Sequence, residues 1–401
     1  MKILKRLGLV AAAVVVLVVV AGAYIWLTSR PIPNLGRPAP GSEVLHDENY
    51  REAADKAREA LMPIRERLSA PAVAAGVGAG GRLVWSAVQG FASLDPQVTA
   101  GPESVFPIGS ASKPLTAALV VQLAERGLID LDADVRSYVP AFPPKAHVVT
   151  LRQLLSHQAG IRHYRFSLRP PAFSEAALNR HFDSVSASLQ LFADDPLAFE
   201  PDHGFQYSTY GYTLVSAAVE GATGGDFISY IASALFEPLG MNHTGPDRDR
   251  GDGQTVARYL VLGSRRVVPA PATDSSNKWA GGGFLSTPDD LVRFGTALLR
   301  GDIVSRESAE MMFEPRQLID GSINPQNYGL GWRTTEAAFP AGSERTTRIL
   351  LHGGTAIGSQ SMLVLVPERE LVVALCTNSF IGGSGPLAQA AVDLARLFAP
   401  E

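Results

Sequence analysis

The chain has 401 residues, 46% apolar and 18% charged, with a formal net charge of -4. Such a composition supports a large buried core and excludes disorder, and it lacks the basic stripe of a nucleic-acid binder. One cysteine, Cys376, excludes an intramolecular disulfide and a paired-cysteine metal site; inside the apolar run Leu371 to Thr377 it reads as a buried strand thiol.

The N-terminus carries Lys2, Lys5 and Arg6 ahead of the uncharged stretch Leu7 to Leu27. As a helix that stretch is about 31 Å long, enough to span a hydrocarbon core of about 30 Å. Basic residues before it orient the N-terminus toward the cytoplasm, and Tyr24 and Trp26 fall at the level of an interfacial aromatic belt. Residues 1–30 therefore predict a single-pass anchor in a bacterial cytoplasmic membrane with the rest of the chain outside the cytoplasm. The alternative is a signal peptide cleaved near Ala21-Gly22-Ala23, which would release a secreted protein, but the apolar residues continue past that site.

Residues 31–46 are rich in proline and predict an extended spacer. From residue 47 a folded domain is expected to run to residue 401. It opens with an amphipathic helix over 47–68, with Ala57, Ala60, Leu61, Ile64 and Leu68 near one face and Pro63 as a kink or break. Val73 to Val77 and Leu83 to Phe91 read as a hairpin, and Arg348 to His352, Ser361 to Val366 and Leu371 to Thr377 as three more strands, the last two joined by a turn at Pro367 to Glu370. Strands at both ends with helices between them predict an α+β domain: one antiparallel sheet made from the two termini, with a helical lobe inserted and a cleft where the two meet.

Chemistry concentrates at Phe106-Pro107-Ile108-Gly109-Ser110-Ala111-Ser112-Lys113, which leads into an apolar helix from Pro114 to Leu123. A Ser and a Lys three apart at a helix start project to one side, so the amine can reach the hydroxyl proton, and the helix N-terminus favours the alkoxide that results. The lysine can accept that proton only if burial or nearby positive charge lowers its pKa. The spacing alone is weak, because Ser275-Ser276-Asn277-Lys278 repeats it without an apolar helix behind it. The eight histidines form no H-E-x-x-H or similar cluster, and no G-x-S-x-G elbow occurs, so neither metal-dependent hydrolysis nor an α/β-hydrolase is indicated, and no cofactor is expected. Taken alone, Tyr207 reads as packing beside Tyr210 and Tyr212, and His157 as a hydrogen-bonding support of the helical lobe.

Ser110-x-x-Lys113 is joined in order by Leu154-Leu155-Ser156-His157-Gln158-Ala159-Gly160, Tyr207-Ser208-Thr209, Gly281 to Thr287, Tyr328-Gly329-Leu330-Gly331-Trp332 and His352-Gly353-Gly354. Over roughly residues 50 to 400 this series resembles the serine β-lactamase-related superfamily in its class C and D,D-peptidase-like branch. Gly160 to Tyr164, the Tyr207-Ser208-Thr209 variant and Lys278 to Gly283 are most similar to mitochondrial serine β-lactamase-like proteins and their bacterial relatives. The resemblance implies a β-lactamase/transpeptidase-like fold, an acyl-serine hydrolase of the peptidase or esterase type, and a peptide or small-molecule substrate. It assigns Ser110 as nucleophile, Lys113 as its proton acceptor, Tyr207 as a second acid and base, and His352 to the cleft strand, with its field available to Tyr207. Thr209, Gly354 and Thr355 would contact substrate, Thr355 through a backbone N–H that forms an oxyanion hole with that of Ser110. Two alternatives accompany it: a true β-lactamase, and a weakly catalytic membrane-tethered scaffold that self-assembles into a homo-oligomer. Thr209 departs from the pattern, since most class C-like relatives carry Asn in a Tyr-x-Asn motif.

Overall fold

Apolar segments from the two ends of the chain meet in one antiparallel sheet of eight strands. Along the sheet the order is Arg333–Ala338, Thr346–Ala356, Ser359–Val366, Leu371–Thr377, Ala72–Ala79, Arg82–Leu94 and Gly41–Leu45, with Gln97–Thr99 paired to the far end of Arg82–Leu94. The computed structural model describes residues 2–166, 174–248 and 250–399; in the N-terminal helix, side chains are described for Ala12 and from Val15 onward.

Both faces of this sheet are covered, which explains why its central strands read as continuous apolar runs. Side chains alternate between faces along a strand. Leu371, Val373 and Leu375 share a core with Ala57, Leu61, Leu387 and Leu394, from the helices Arg51–Arg67 and Gly385–Leu397. Val372, Ala374 and Cys376 face the other way, into the core that holds Leu291, Val292 and Phe294 of the helix Pro288–Arg300. The same core continues into the helical lobe through Ser112–Glu125, Leu151–Leu155 and Thr209–Thr223.

Leu371–Thr377 has the bounds expected of it, and the turn after Val366 is a short 3₁₀ turn that closes on Glu370 at φ 49°. Thr346–Ala356 is longer than its apolar signal, because its last five residues, His352 to Ala356, are held by pairing to Ser359 to Leu363 and not by apolar character. The helix Arg51–Arg67 runs unbroken through Pro63. Pro63 and Glu59 are exposed, so water can take the carbonyl that the proline leaves without a partner.

The expected spacer over 31–46 is extended but docked. Arg30–Pro31 pairs with Arg266 and Val267, Ile32 and Leu35 are buried against Tyr259 and Val267, and Gly41–Leu45 forms the edge strand beside Arg82–Leu94. The backbone of Lys2–Thr28 is one helix. The expected apolar span 7–27 lies partly outside the described side chains, and among the described residues no helix is long and apolar enough to cross a membrane.

Candidate active site

Two glycines press the turn that carries Ser110 onto the edge of the sheet. Gly109 has φ +50°, and a Cβ there would come within 2.6 Å of the Thr355 backbone; one on Gly354 would come within 1.7 Å of the Ile108 carbonyl oxygen. Ser361 and Ser359 then donate to the carbonyls of Ile108 and Pro107 at 2.6 and 2.8 Å, which locks the turn to the strand Ser359–Val366. Gly354 was expected to border the substrate; its missing side chain makes room for the chain in front of Ser110, and it does not line the cavity.

Ser110 opens into a cavity of about 380 Å³ whose lining also includes Tyr207, Thr209, His352 and Thr355. Lys113 lies beneath it, fully buried in the first turn of Ser112–Glu125. Its Nζ is 3.3 Å from Ser110 Oγ, donates to Thr209 Oγ1 at 3.2 Å and donates to the Gly281 carbonyl. Burial, helped by the Arg333 charge, holds this amine well below the usual lysine range. A neutral amine has two N–H groups and one lone pair. Gly281 and Thr209 take the two donors, which leaves the lone pair for the Ser110 hydroxyl.

Tyr207 packs over the amine, with Lys113 Nζ 4.6 Å from its ring centroid. Burial pushes its phenol up to about 12, against the opposing pull of the Ser110 hydroxyl and the Arg333 charge. His157, at φ 64°, backs the Tyr207 ring at a centroid distance of 4.3 Å, and its Nδ1 accepts the Ser208 N–H at 3.2 Å. Nδ1 of His163 accepts the Thr209 N–H at 3.2 Å, and burial lowers His163 to about 4. Both rings are neutral supports of the turn that carries Tyr207 and Thr209.

His352 lines the cavity with both ring nitrogens already engaged. Nδ1 lies 2.9 Å from the Gly353 carbonyl, which can only accept, so Nδ1 carries the proton and Nε2 accepts the Tyr328 hydroxyl at 2.8 Å. Burial, with Lys113 and Arg333 nearby, keeps the ring neutral, so the cationic field once expected from His352 is absent. Arg333 supplies one instead. It lines the cavity, and its guanidinium carbon is 5.9 Å from the Tyr207 ring centroid.

The structure thus brings Ser110, Lys113, Tyr207, Thr209, His352 and Thr355 together. Arg333 was missed, although it directly follows the Tyr328 to Trp332 motif; so was the partnership of Tyr328 with His352. Nothing in the spacing gives either away, since each depends on how Arg333–Ala338 pairs with Thr346–Ala356.

A serine beside a buried lysine at the foot of a helix, on a sheet built from both termini, defines a serine hydrolase that works through an acyl-enzyme. The chain belongs to the beta-lactamase family, which it matches over residues 57–397. It is 31% identical to the mitochondrial serine beta-lactamase-like protein LACTB of Homo sapiens over 400 residues, covering 80% of this chain and 73% of that one. It is 28% identical to penicillin-binding protein 4* of Bacillus subtilis, over 74% of this chain and 66% of that one. Among solved structures, EstCE1, a hydrolase with promiscuous acyltransferase activity, superposes with a TM-score of 0.71 at 20% identity, over 87% of this chain and 100% of that one.

Proposed function

We propose that the protein hydrolyses small esters or peptide-like amides, with Ser110 as the acylated residue. The observation that carries this reading is the buried Lys113 amine, 3.3 Å from Ser110 Oγ with its other hydrogen-bonding positions filled. Lys113 takes the hydroxyl proton as Ser110 Oγ attacks the carbonyl carbon. The backbone N–H groups of Ser110 and Thr355 receive the oxyanion, and Tyr207, held protonated, gives its proton to the leaving group. The phenolate left behind faces the cations of Lys113 and Arg333. In deacylation the attacking water gives its proton to Tyr207, and the Lys113 ammonium returns its own to Ser110 Oγ as the ester breaks. Thr209 and His352 hold the site's shape through Lys113 and Tyr328.

The test is a fluorophosphonate probe followed by peptide mass analysis. Mass should be added to the peptide with Ser110 and lost in Ser110→Ala; labelling at Ser275 would overturn the assignment.

A membrane location accompanies this reading. Val15 to Val20 occupy six successive helix positions, hence every face, and each is at least 60% exposed, as are Trp26 and Leu27. With Lys2, Lys5 and Arg6 ahead of them, these residues support an anchor that leaves the domain outside the cytoplasm. Protease added to spheroplasts should then remove the domain; protection of an intact chain would overturn the topology.

A further inference from the structure

The second Ser-x-x-Lys of the chain, Ser275 to Lys278, lines the same cavity as Ser110. Its serine is no second nucleophile. Ser275 Oγ donates to Asp247 at 3.0 Å, and the other oxygen of that carboxylate is paired with Arg258. Lys278 Nζ donates to the Ala176 carbonyl at 2.8 Å, and the Ser275 hydroxyl is engaged elsewhere. Ala176 is fixed in turn, because the neighbouring Glu175 is gripped by Arg162 at 2.6 Å.

This arrangement leaves Lys278 with an unmet electrostatic need. It is only 9% exposed, and among the described residues it makes no ion pair and its ammonium donates to one neutral carbonyl. A cation so placed keeps a desolvation cost that a single carbonyl does not offset, and an ammonium has two further N–H groups to give. Asp247 cannot answer it directly, being held by Arg258 and Ser275. Asp274, the other acid that acts on Lys278 through space, is absent from the cavity lining and faces His181 at 3.0 Å and the Ser276 N–H at 2.8 Å. Of the other cations, Lys113 lies below the cavity floor with its pKa lowered, and Arg333, which does line the cavity, is engaged by the Gln326 side-chain oxygen and the Tyr207 ring.

We propose that Lys278, backed by the Ser275–Asp247–Arg258 wall, is an anion-binding subsite of the catalytic cavity that selects substrates carrying a carboxylate. The inference rests on Ser110 being the nucleophile of this cavity, and it names the substrate class that nucleophile serves. The carboxylate completes the two remaining donors of the Lys278 ammonium and lies against a wall whose own acid is already neutralised. Burial lowers Lys278 to about 8, so the ammonium form prevails at neutral pH and is lost in mild alkali. Among charged groups near it, Asp247 and Asp274 oppose that shift and Arg258 adds to it.

The experiment compares matched substrate pairs on the full chain. Mono-p-nitrophenyl succinate against p-nitrophenyl acetate places the carboxylate on the acyl group; 3-carboxyphenyl acetate against phenyl acetate places it on the leaving group. The quantity read is the anionic-to-neutral ratio of kcat/KM, in which general damage to a variant cancels. In one pair or the other, Lys278→Gln should lower that ratio by about tenfold or more, the size of one hydrogen bond to a charged group, chiefly through KM, and Lys278→Arg should restore much of it. A ratio that Lys278→Gln leaves unchanged in both pairs overturns the subsite. So does a ratio that collapses in Arg333→Gln but not in Lys278→Gln, since the anchor would then be Arg333. If no ester is turned over, the hydrolase reading fails by itself, and the subsite is read from calorimetric binding of N-phenylsuccinamate against acetanilide. Tighter binding of the anion that Lys278→Gln removes supports the subsite; equal binding of the two sinks it.

Discussion

Tyr328 gives its hydroxyl proton to Nε2 of His352 across 2.8 Å, and this bond withdraws the histidine from proton transfer. His352→Asn should therefore lower kcat/KM on a small neutral ester by about tenfold at most, the scale of one lost neutral hydrogen bond. Lys113→Met removes the proposed proton acceptor and should cost about 10² to 10⁴. Steady-state kinetics on the two variants decides the matter, and a His352→Asn protein as inactive as Lys113→Met would place the imidazole in the chemistry after all.

The pH profile should carry the signature of Lys113 and no histidine step. In the proposed mechanism the amine acts as its free base, so kcat/KM should rise with pH through its lowered pKa and then level. Tyr207, held up to about 12, remains an acid through pH 10. Arg333→Gln removes a positive charge that disfavours the ammonium, so the acid limb should move to higher pH. An unchanged limb in that variant would show that burial alone tunes Lys113.

Stability should register the same amine with the opposite sign from an ordinary salt-bridged lysine. Between its lowered folded pKa and the unfolded value near 10.5, the unfolded chain binds a proton there that the folded chain does not. Stability therefore rises with pH across that window as far as this group is concerned. The Lys113→Met protein lacks the effect, so its stability relative to the parent should be greatest near neutrality and shrink steadily toward pH 10. Denaturant midpoints measured at a series of pH values test this; a constant difference would contradict it.

β-Lactams should be poor substrates. Thr209 Oγ1 accepts from Lys113 at 3.2 Å, and on a short β-branched stem it has one hydroxyl to share where the related Tyr-x-Asn motif has a whole carboxamide. The missing hold on an acylamido side chain is worth about 0.5 to 1.5 kcal/mol per neutral hydrogen bond. A ring-opened β-lactam also keeps its leaving amine tethered beside the ester, where it obstructs water. Nitrocefin should thus show an acylation burst that stalls, while p-nitrophenyl esters turn over; a nitrocefin kcat/KM of about 10⁴ M⁻¹s⁻¹ or more would overturn the expectation.

What the sequence made legible follows from local signals. Leu371–Thr377 announces itself because a strand buried on both faces is apolar at every position, and Ser110 and Lys113 because one helical turn fixes their relation. Gly41–Leu45 was hidden, since an edge strand with one exposed side and a glycine start resembles a loop. Arg333 and Lys278 were hidden for a different reason. A surface arginine, a structural lysine and a cavity lysine look alike in a string of letters, and burial against distant partners is what separates them.

The docked segment between the N-terminal helix and the sheet changes how far the catalytic cavity can roam. A free spacer over residues 31–46 would act as a flexible leash some 50 Å long when fully drawn out. Instead Arg266 clasps Ser29, directly after the helix, through its side-chain and carbonyl oxygens at 2.8 and 3.0 Å, and Arg30–Pro31 is already in a sheet. The ordered backbone therefore begins directly after the helix, and the reach that a free leash would give the cavity is lost.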